Sequence, residues 1–267
     1  MQLRIADVCF DLSESDEATR SLALAEWPAF LVEGVEPEIF VRARCDPDFV
    51  EGAERAALAS GEGEWTLELP GLAARLDVRA GRADVRYGMR VGFLNFLRIS
   101  LTILLRRYDG ALFHAASVRA SDGGVLLFPG VSGTGKTTIA TLAAPRPILS
   151  DEISALRRRG DRIYAFPTPF WGDLARGRWV PEGPLARIIL LRRADAPSLE
   201  PATHAEAVAA LLEGANLFET DLESSKKRTL IAQVAALASV PCCRLSFRLP
   251  SNPWTLLDPT PSVPGAT

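Results

Sequence analysis

A glycine-rich segment at residues 130–138 combines residue types that are suited to holding phosphate groups. Its glycines allow backbone N–H groups to turn toward a bound anion, and its lysine can reach two neighbouring phosphates. The hydroxyl after the lysine can ligate Mg²⁺, and the start of the following predicted helix adds a positive dipole end. The predicted nucleotide-binding residues are Gly130, Val131, Ser132, Gly133, Thr134, Gly135, Lys136, Thr137 and Thr138.

A plain glycine-rich turn is the alternative interpretation of this segment. The fixed positions of the phosphate-loop pattern are matched by chance in about 1% of chains of this length at average residue usage. The predicted strand before the segment and the predicted helix after it are further requirements, and both are met. We therefore predict that the chain binds ATP, or another nucleoside triphosphate, together with Mg²⁺.

An acidic pair, Asp151 and Glu152, follows Lys136 by only one predicted helix and one short strand. In transporter-type ATPases the acidic element lies much further along the chain. A carboxylate pair beside a γ-phosphate suits phosphoryl transfer, because one acid can hold the metal while the other accepts the proton of an attacking hydroxyl. The alternative is a solvated acidic pair at a strand end.

Three segments, at residues 113–118, 130–138 and 149–152, together resemble the catalytic domain of the HPr kinase/phosphorylase family. The sequence is more closely similar to the HPr-kinase-related proteins found with modified-peptide gene clusters, such as those of lasso peptides. The resemblance covers roughly residues 111–249. It implies a fold similar to phosphoenolpyruvate carboxykinase, in which an α/β nucleotide core is built on a mixed sheet.

The resemblance also implies roles for residues of this sequence. His114 matches an active-site histidine, Lys136 the phosphate lysine and Thr137 a metal-ligating hydroxyl. Glu152 would accept the proton, and Asp151 would support the metal. The family has two aspartates at the acidic pair, so the glutamate here leaves the division of roles between the two acids open. On residue type alone, a histidine on an apolar strand is more often a core residue.

Residues 166–184 are rich in proline, glycine and aromatic residues and are predicted to form a long loop beside the site. Asp173 within it is a candidate metal ligand or acceptor contact, because a similar turn occurs in the related kinases. Phe170 and Trp171 either form part of a lid or simply pack. Arg178 beside a γ-phosphate would stabilise developing charge, and the alternative is a solvated side chain.

The acceptor is the least defined part of the prediction. The glycine-rich signature with which HPr kinase/phosphorylases recognise their carrier protein is not evident after Trp171, so HPr is not the expected substrate. We predict an ATP-dependent phosphotransferase that acts on a hydroxyl of a peptide, a protein or a small molecule. The alternatives are a nucleotide-binding regulatory module that recruits a partner with little turnover, and an enzyme that runs the reverse reaction as a phosphorylase or hydrolase.

Hydrophobic patterning predicts a β-rich region at residues 1–90 ahead of a catalytic region at 91–258, and the resemblance implies that the fold is α/β with a mixed sheet. Residues 259–267 are expected to form a disordered tail. The N-terminal strands are predicted to be antiparallel and lie at 3–10, 39–44, 65–69, 76–78 and 83–87, with a candidate helix at 48–59. The later predicted helices are 91–108, 137–144, 205–212 and 226–239. The later predicted strands are 111–118, 125–128, 147–149, 153–156, 162–166, 185–191 and 243–249.

The composition excludes several functional classes. A net charge of -3 and scattered basic residues give no basis for a nucleic-acid surface. The most apolar stretch, residues 91–105, is too short to span a membrane and contains Asn95 and Arg98. The first residues lack the pattern of a signal sequence, and the four cysteines have no zinc-binding spacing. We expect a cytoplasmic protein with no membrane partner, and a homo-oligomer is compatible with the sequence.

Overall fold

The computed structural model describes residues 1–52, 58–59, 63–172, 174, 180–215 and 224–258, with the backbone alone for 58–59 and 224–227. The chain divides into two compact units, built mainly from Met1–Leu112 and from Phe113–Arg176, Val180–Ala215 and Thr229–Thr267. Residues 91–112 group with the first unit, whereas the sequence prediction assigned them to the catalytic region. Each unit contains a mixed β-sheet with helices, so the fold class is mixed α/β. The predicted tail at 259–267 lies outside the described residues.

The sheet of the first unit is mixed rather than antiparallel as predicted. Its strands are β1 (Gln2–Ile5), β2 (Val8–Asp11), β3 (Leu31–Val32), β4 (Ile39–Cys45), β5 (Leu58–Ala59), β6 (Glu64–Leu69), β7 (Leu72–Asp77) and β8 (Arg82–Tyr87). Their order is β3-β1-β2-β4-β8-β7-β6-β5. The pairings β2–β4 and β4–β8 are parallel. Parallel neighbours require long crossover connections, and the segments that make these crossovers are not marked in the hydrophobic pattern.

Helix α1 (Glu17–Glu26) provides one of these crossovers and was not predicted. The Asp16 carboxylate caps it by accepting from the Thr19 N–H at 2.9 Å, and it also accepts from the Cys45 N–H at 2.7 Å. The predicted helix at 91–108 is confirmed as α2 (Arg90–Leu105), followed by a 3-10 turn at Arg106–Tyr108. The candidate helix at 48–59 is wrong at its end, where β5 forms, and residues 53–57 lie outside the described part.

The strands and helices that carry the predicted site belong wholly or mainly to the second unit, although residues 110–112 and 224–228 at the start of two of them group with the first unit. The strands are β9 (Gly110–Arg119), β10 (Val125–Pro129), β11 (Ile148–Ser150), β12 (Ile153–Arg159), β13 (Arg162–Phe166), β14 (Gly183–Arg193), β15 (Ser198–Pro201) and β16 (Cys242–Phe247). The helices are α3 (Lys136–Thr141), α4 (His204–Glu213), α5 (Ser224–Leu237) and α6 (Trp254–Leu257). Helix α3 ends at Thr141, earlier than predicted, and the chain leaves it through a tight turn in which the Ala143 N–H donates to the Ala140 carbonyl at 3.1 Å. None of the helices in the described part of the chain combines the length and hydropathy needed to span a bilayer.

Strand direction brings the predicted functional residues to one edge of this sheet. β10 is parallel to β14, with Leu127 opposite Ile188. β9 is antiparallel to both β10 and β11, so β10 and β11 run in the same direction. The carboxyl ends of β10, β11 and β14 therefore meet at one edge, where residues 130–138 and the acidic pair follow β10 and β11 and where Arg193 ends β14. β9 begins at the same edge and places His114 there.

The core beneath residues 130–138 joins α3 to the strands that support it. Its largest buried members are Val118, Leu126, Phe128, Ile139, Ile189, Leu245, Phe247, Trp254 and Leu257. The indole N–H of Trp254 donates to the Ile139 carbonyl at 3.0 Å. Helix α6 thus holds α3 in place from the far end of the chain.

A polar cluster, the C-terminal clasp of Ser121, Arg146 and Asp258, closes this core. The Asp258 carboxylate accepts from the Arg146 guanidinium at 2.7 Å and from the Ser121 N–H at 3.0 Å. Arg146 also lies over the Trp254 ring, 4.7 Å from its centroid. Burial opposes ionisation of Asp258, but the hydrogen bonds from Ser121 and Arg146 hold its pKa below the ordinary value of 3.8.

We expect Asp258→Asn to lower the free energy of unfolding by about 1–3 kcal/mol at neutral pH, because it weakens a charged hydrogen-bond network that is largely buried. A depressed carboxyl pKa stabilises the fold above its ordinary value and ceases to do so as pH falls through the folded-state pKa. The difference between wild type and variant should therefore shrink below about pH 4. Urea denaturation across pH measures this difference in the free energy of unfolding.

Asp195→Asn is the matched control, because Asp195 pairs with Arg248 on the surface. Equal losses in both variants would contradict a role for the clasp.

Candidate functional site

Residues 130–138, here called the glycine loop, depend on backbone conformations that favour glycine. Gly133 and Gly135 have φ values of 83° and 100°, and Gly130 has a φ of 153°. A Cβ on Gly130 would lie 2.7 Å from Oγ1 of Thr134. The Thr134 hydroxyl donates to the Val131 carbonyl at 2.9 Å and closes the turn. The glycines therefore fit the loop conformation, and Gly130 also leaves room for Thr134.

Lys136 lies under this loop rather than on its exposed side. Its side chain is only 6% exposed, and its ammonium donates to the carbonyls of Gly130 at 2.7 Å and Val131 at 2.8 Å. Burial lowers the pKa of Lys136, and the negative charge of Glu152 acts in the opposite direction. The lysine is therefore held by its own loop and stabilised by one of the two predicted acids.

A cavity of about 490 Å³ brings most of the predicted site residues together. Pockets for nucleotide-sized ligands commonly have volumes in this range. The cavity is lined by His114, Ser132, Gly133, Gly135, Lys136, Thr137, Thr138, Asp151, Glu152, Gly172 and Arg193. Of the other predicted loop residues, Gly130 is buried, Val131 exposes its side chain and Thr134 closes the turn. Asp173, the further predicted metal ligand, and Arg178 lie outside the described residues.

Asp151 is a buried carboxylate that holds a neighbouring loop. One oxygen accepts from the Gly172 N–H at 2.9 Å, and the other accepts from the Leu174 N–H at 2.7 Å. A Cβ on Gly172 would come within 2.6 Å of the carboxylate, so only glycine fits without movement. Each carboxylate oxygen has a second lone pair, so the two hydrogen bonds leave acceptor capacity for the predicted contact with a metal.

Glu152 and His114 line the cavity from the turn after β11 and from β9. The Glu152 carbonyl accepts from the Ala115 N–H at 3.0 Å, which attaches the acidic pair to the strand that carries His114. The His114 carbonyl accepts from the Gly130 N–H at 3.1 Å, which attaches the same strand to the glycine loop. His114 and Glu152 are both half-buried, so their side chains reach the cavity while their backbones fix its wall.

Two further features of the site differ from the sequence prediction or lie beyond it. Phe170 is only 4% exposed and packs in the interior, in agreement with the packing alternative, and Trp171 is half-buried. Arg193 lines the cavity but was not predicted as a site residue. The sequence signal for Arg193 was the pair of arginines at the end of the apolar strand β14. The sequence does not reveal that β14 lies next to β10, so this signal could not be connected with the site.

The candidate metal ligands of this cavity suit Mg²⁺ better than a metal that takes all of its ligands from protein side chains. Within the described ranges, no group of three or more His, Cys, Asp and Glu side chains is placed to hold a metal. Mg²⁺ commonly binds through one or two carboxylates, with water and substrate phosphates as its remaining ligands. The Thr137 hydroxyl and the Asp151 carboxylate, which line the same cavity, match that requirement.

We expect Asp151→Asn to lower the free energy of unfolding by about 1–3 kcal/mol without any nucleotide, because asparagine has one acceptor oxygen for two backbone donors. The second N–H would then face an amide NH₂ group. Thermal or urea denaturation in metal-free buffer measures the loss. Asp161→Asn, at an exposed turn, is the control. An unchanged stability combined with weaker Mg²⁺-dependent nucleotide binding would contradict the anchoring role and support metal binding alone.

Comparison with known proteins gives a weak structural similarity. Neither a family model nor a curated protein matches the chain. Among solved structures, the chain is similar to the Hpr(Ser) kinase/phosphatase from Coxiella burnetii, with 11% sequence identity and a TM-score of 0.31. The alignment covers 54% of this chain and 90% of that chain.

Proposed function

We propose that the second unit is a Mg²⁺- and ATP-dependent phosphotransferase that transfers the γ-phosphate to a hydroxyl group. The observation that supports this is a single cavity lined by Lys136, Thr137, Asp151 and Glu152. A lysine and glycine loop suit a polyphosphate, while a second carboxylate beyond the metal ligand suits proton transfer. A protein that only binds nucleotide has no need of that second carboxylate.

The proposed mechanism assigns each side chain a separate task. Lys136 exchanges the Gly130 and Val131 carbonyls for phosphate oxygens, and Thr137 and Asp151 would hold Mg²⁺. The bound ion would neutralise charge on the phosphates. Glu152 accepts the proton of the acceptor hydroxyl, whose oxygen bonds to the γ-phosphorus as the bond from that phosphorus to the bridging oxygen breaks. A nucleoside diphosphate leaves, and the phosphorylated acceptor remains.

The acceptor and the cellular location belong to the same proposal. We assign the wall formed by His114 and Glu152 to the acceptor, because Glu152 must reach the hydroxyl from which it takes the proton. The acceptor class is a serine or threonine hydroxyl of a peptide or protein, or a small-molecule alcohol, and HPr is not expected. The cysteines described in the structure, Cys9, Cys45, Cys242 and Cys243, are all free, which is compatible with action in the cytoplasm.

The direct test is transfer of label from γ-labelled ATP in the presence of Mg²⁺. Candidate acceptors are peptide libraries containing serine or threonine and a panel of small alcohols. The double variant Asp151→Asn/Glu152→Gln is the negative control, and transfer that survives in it would overturn the mechanism. Nucleotide binding by the wild type with no transfer to any acceptor would favour the regulatory module. Release of pyrophosphate from a phosphorylated substrate and phosphate would identify the reverse reaction.

A further inference from the structure

Arg193 ends the strand that runs beside the strand leading into the glycine loop. β14 and β10 are parallel, so the carboxyl end of β14 lies beside the loop. Leu191 Cδ1 is 3.9 Å from the position that a Cβ of Gly135 would occupy. Residues two apart on a strand share a face, so Leu191 and Arg193 face the loop while Arg192 faces away. The Arg193 guanidinium confirms this direction by reaching the Gly133 carbonyl at 3.5 Å.

The charge of Arg193 is available to a ligand. No carboxylate in the described part of the chain forms an ion pair with it, and its side chain is exposed at the cavity. The contact with Gly133 is at the long limit of a hydrogen bond and engages one of five guanidinium donors. Lys136, by contrast, is buried and donates to two carbonyls of its own loop. Arg193 can therefore bind an incoming anion with less rearrangement of its existing hydrogen bonds than Lys136 can.

The two cations contact different ends of the glycine loop. Lys136 binds the carbonyls of Gly130 and Val131 at its beginning, and Arg193 reaches the carbonyl of Gly133 at its tip. A chain of phosphates lying along such a loop would meet the two cations at different phosphate groups. The planar guanidinium matches the spacing of phosphate oxygens, which a lysine ammonium at the same position would not reproduce.

We infer that Arg193 is a second phosphate-binding residue of this site, which contacts the polyphosphate of the nucleotide at the loop tip while Lys136 contacts it from below. The inference rests on the proposed function for the identity of the ligand, but the contact itself requires only a polyphosphate. It makes Arg193 a determinant of affinity for polyphosphates and leaves proton transfer to other residues.

The test measures dissociation constants by calorimetry for Mg²⁺-ATP and for inorganic tripolyphosphate with Mg²⁺. Arg193→Ala should weaken both by about 10- to 100-fold, because hydrogen bonds to charged groups are lost. Arg193→Lys should fall between wild type and the alanine variant. Arg192→Ala is the matched control, since it removes the same charge from the opposite face of the same strand, and its affinity should stay within about twofold of wild type. Melting temperatures without ligand should be the same for all, because both side chains are exposed.

The outcomes separate this inference from the proposed function. If wild type binds Mg²⁺-ATP and Arg193→Ala binds it with the same affinity, the assignment of Arg193 is overturned and the proposed function is not. Equal weakening in Arg192→Ala and Arg193→Ala also overturns it, because a general charge effect would then account for the loss. If wild type binds tripolyphosphate through Arg193 but transfers no phosphate, the proposed function is overturned and the assignment of Arg193 is not. Wild type that binds neither compound overturns both.

Discussion

Replacing Lys136 with methionine should reduce phosphoryl transfer by at least about 100-fold, the effect of removing one preorganised charge from a transition state. Methionine retains most of the buried stem but supplies no positive charge to the β- and γ-phosphates. The measurement is the rate of label transfer from γ-labelled ATP. Arg162→Met is the control, because it removes a positive charge from an exposed strand position.

The burial of Lys136 decides which substitution is informative. Lys136 is only 6% exposed, and its ammonium donates to two carbonyls of its own loop. Alanine would therefore add a packing defect to the loss of charge, whereas methionine keeps the volume.

Wild type should gain about 2.7 kcal/mol of stability at a hundredfold excess of Mg²⁺-ATP over its dissociation constant. A variant that retains both this gain and full transfer would contradict the assigned role.

Local patterns were sufficient to predict one helix of the first unit and the strands that carry the site. The periodic apolar residues of α2 predicted that helix, and alternating or continuous apolar runs predicted β9, β10 and β14. The glycine loop and the acidic pair were predicted from residue types within a short stretch of chain, and one cavity brings them together. These features are local, because helical and strand periodicity and turn chemistry are set by neighbouring residues.

The remaining features depend on contacts between distant parts of the chain. Asp151 accepts from the backbone of Gly172 and Leu174, and nothing in the type of these residues marks that contact. Arg193 enters the site only because β14 pairs with β10. Asp258 reaches Ser121 and Arg146 from the opposite end of the second unit. Parallel strand pairing and buried ion pairs of this kind are tertiary properties, which sequence periodicity does not encode.

The Glu152→Gln variant distinguishes a kinase from a protein that only binds nucleotide. Glutamine keeps the size and hydrogen-bonding capacity of the side chain but cannot accept the proton of the acceptor. Transfer should fall by about 10²- to 10⁴-fold, while the dissociation constant for Mg²⁺-ATP stays close to that of wild type. Asp161→Asn makes the same chemical change at an exposed turn and should leave both quantities unchanged. Wild-type transfer in Glu152→Gln would remove the general base from the mechanism.

An indirect role for Glu152 would give a different pH dependence. Because Glu152 raises the pKa of Lys136 against the effect of burial, removing its charge should lower that pKa further. If loss of Lys136 protonation were the cause of the defect, transfer by Glu152→Gln would recover as the pH is lowered. If Glu152 is the proton acceptor, the variant lacks the base at every pH, so its transfer rate shows no recovery as the pH is lowered. We expect the second profile, because the proposed mechanism requires a carboxylate at the acceptor hydroxyl and not only a charged lysine at the phosphates.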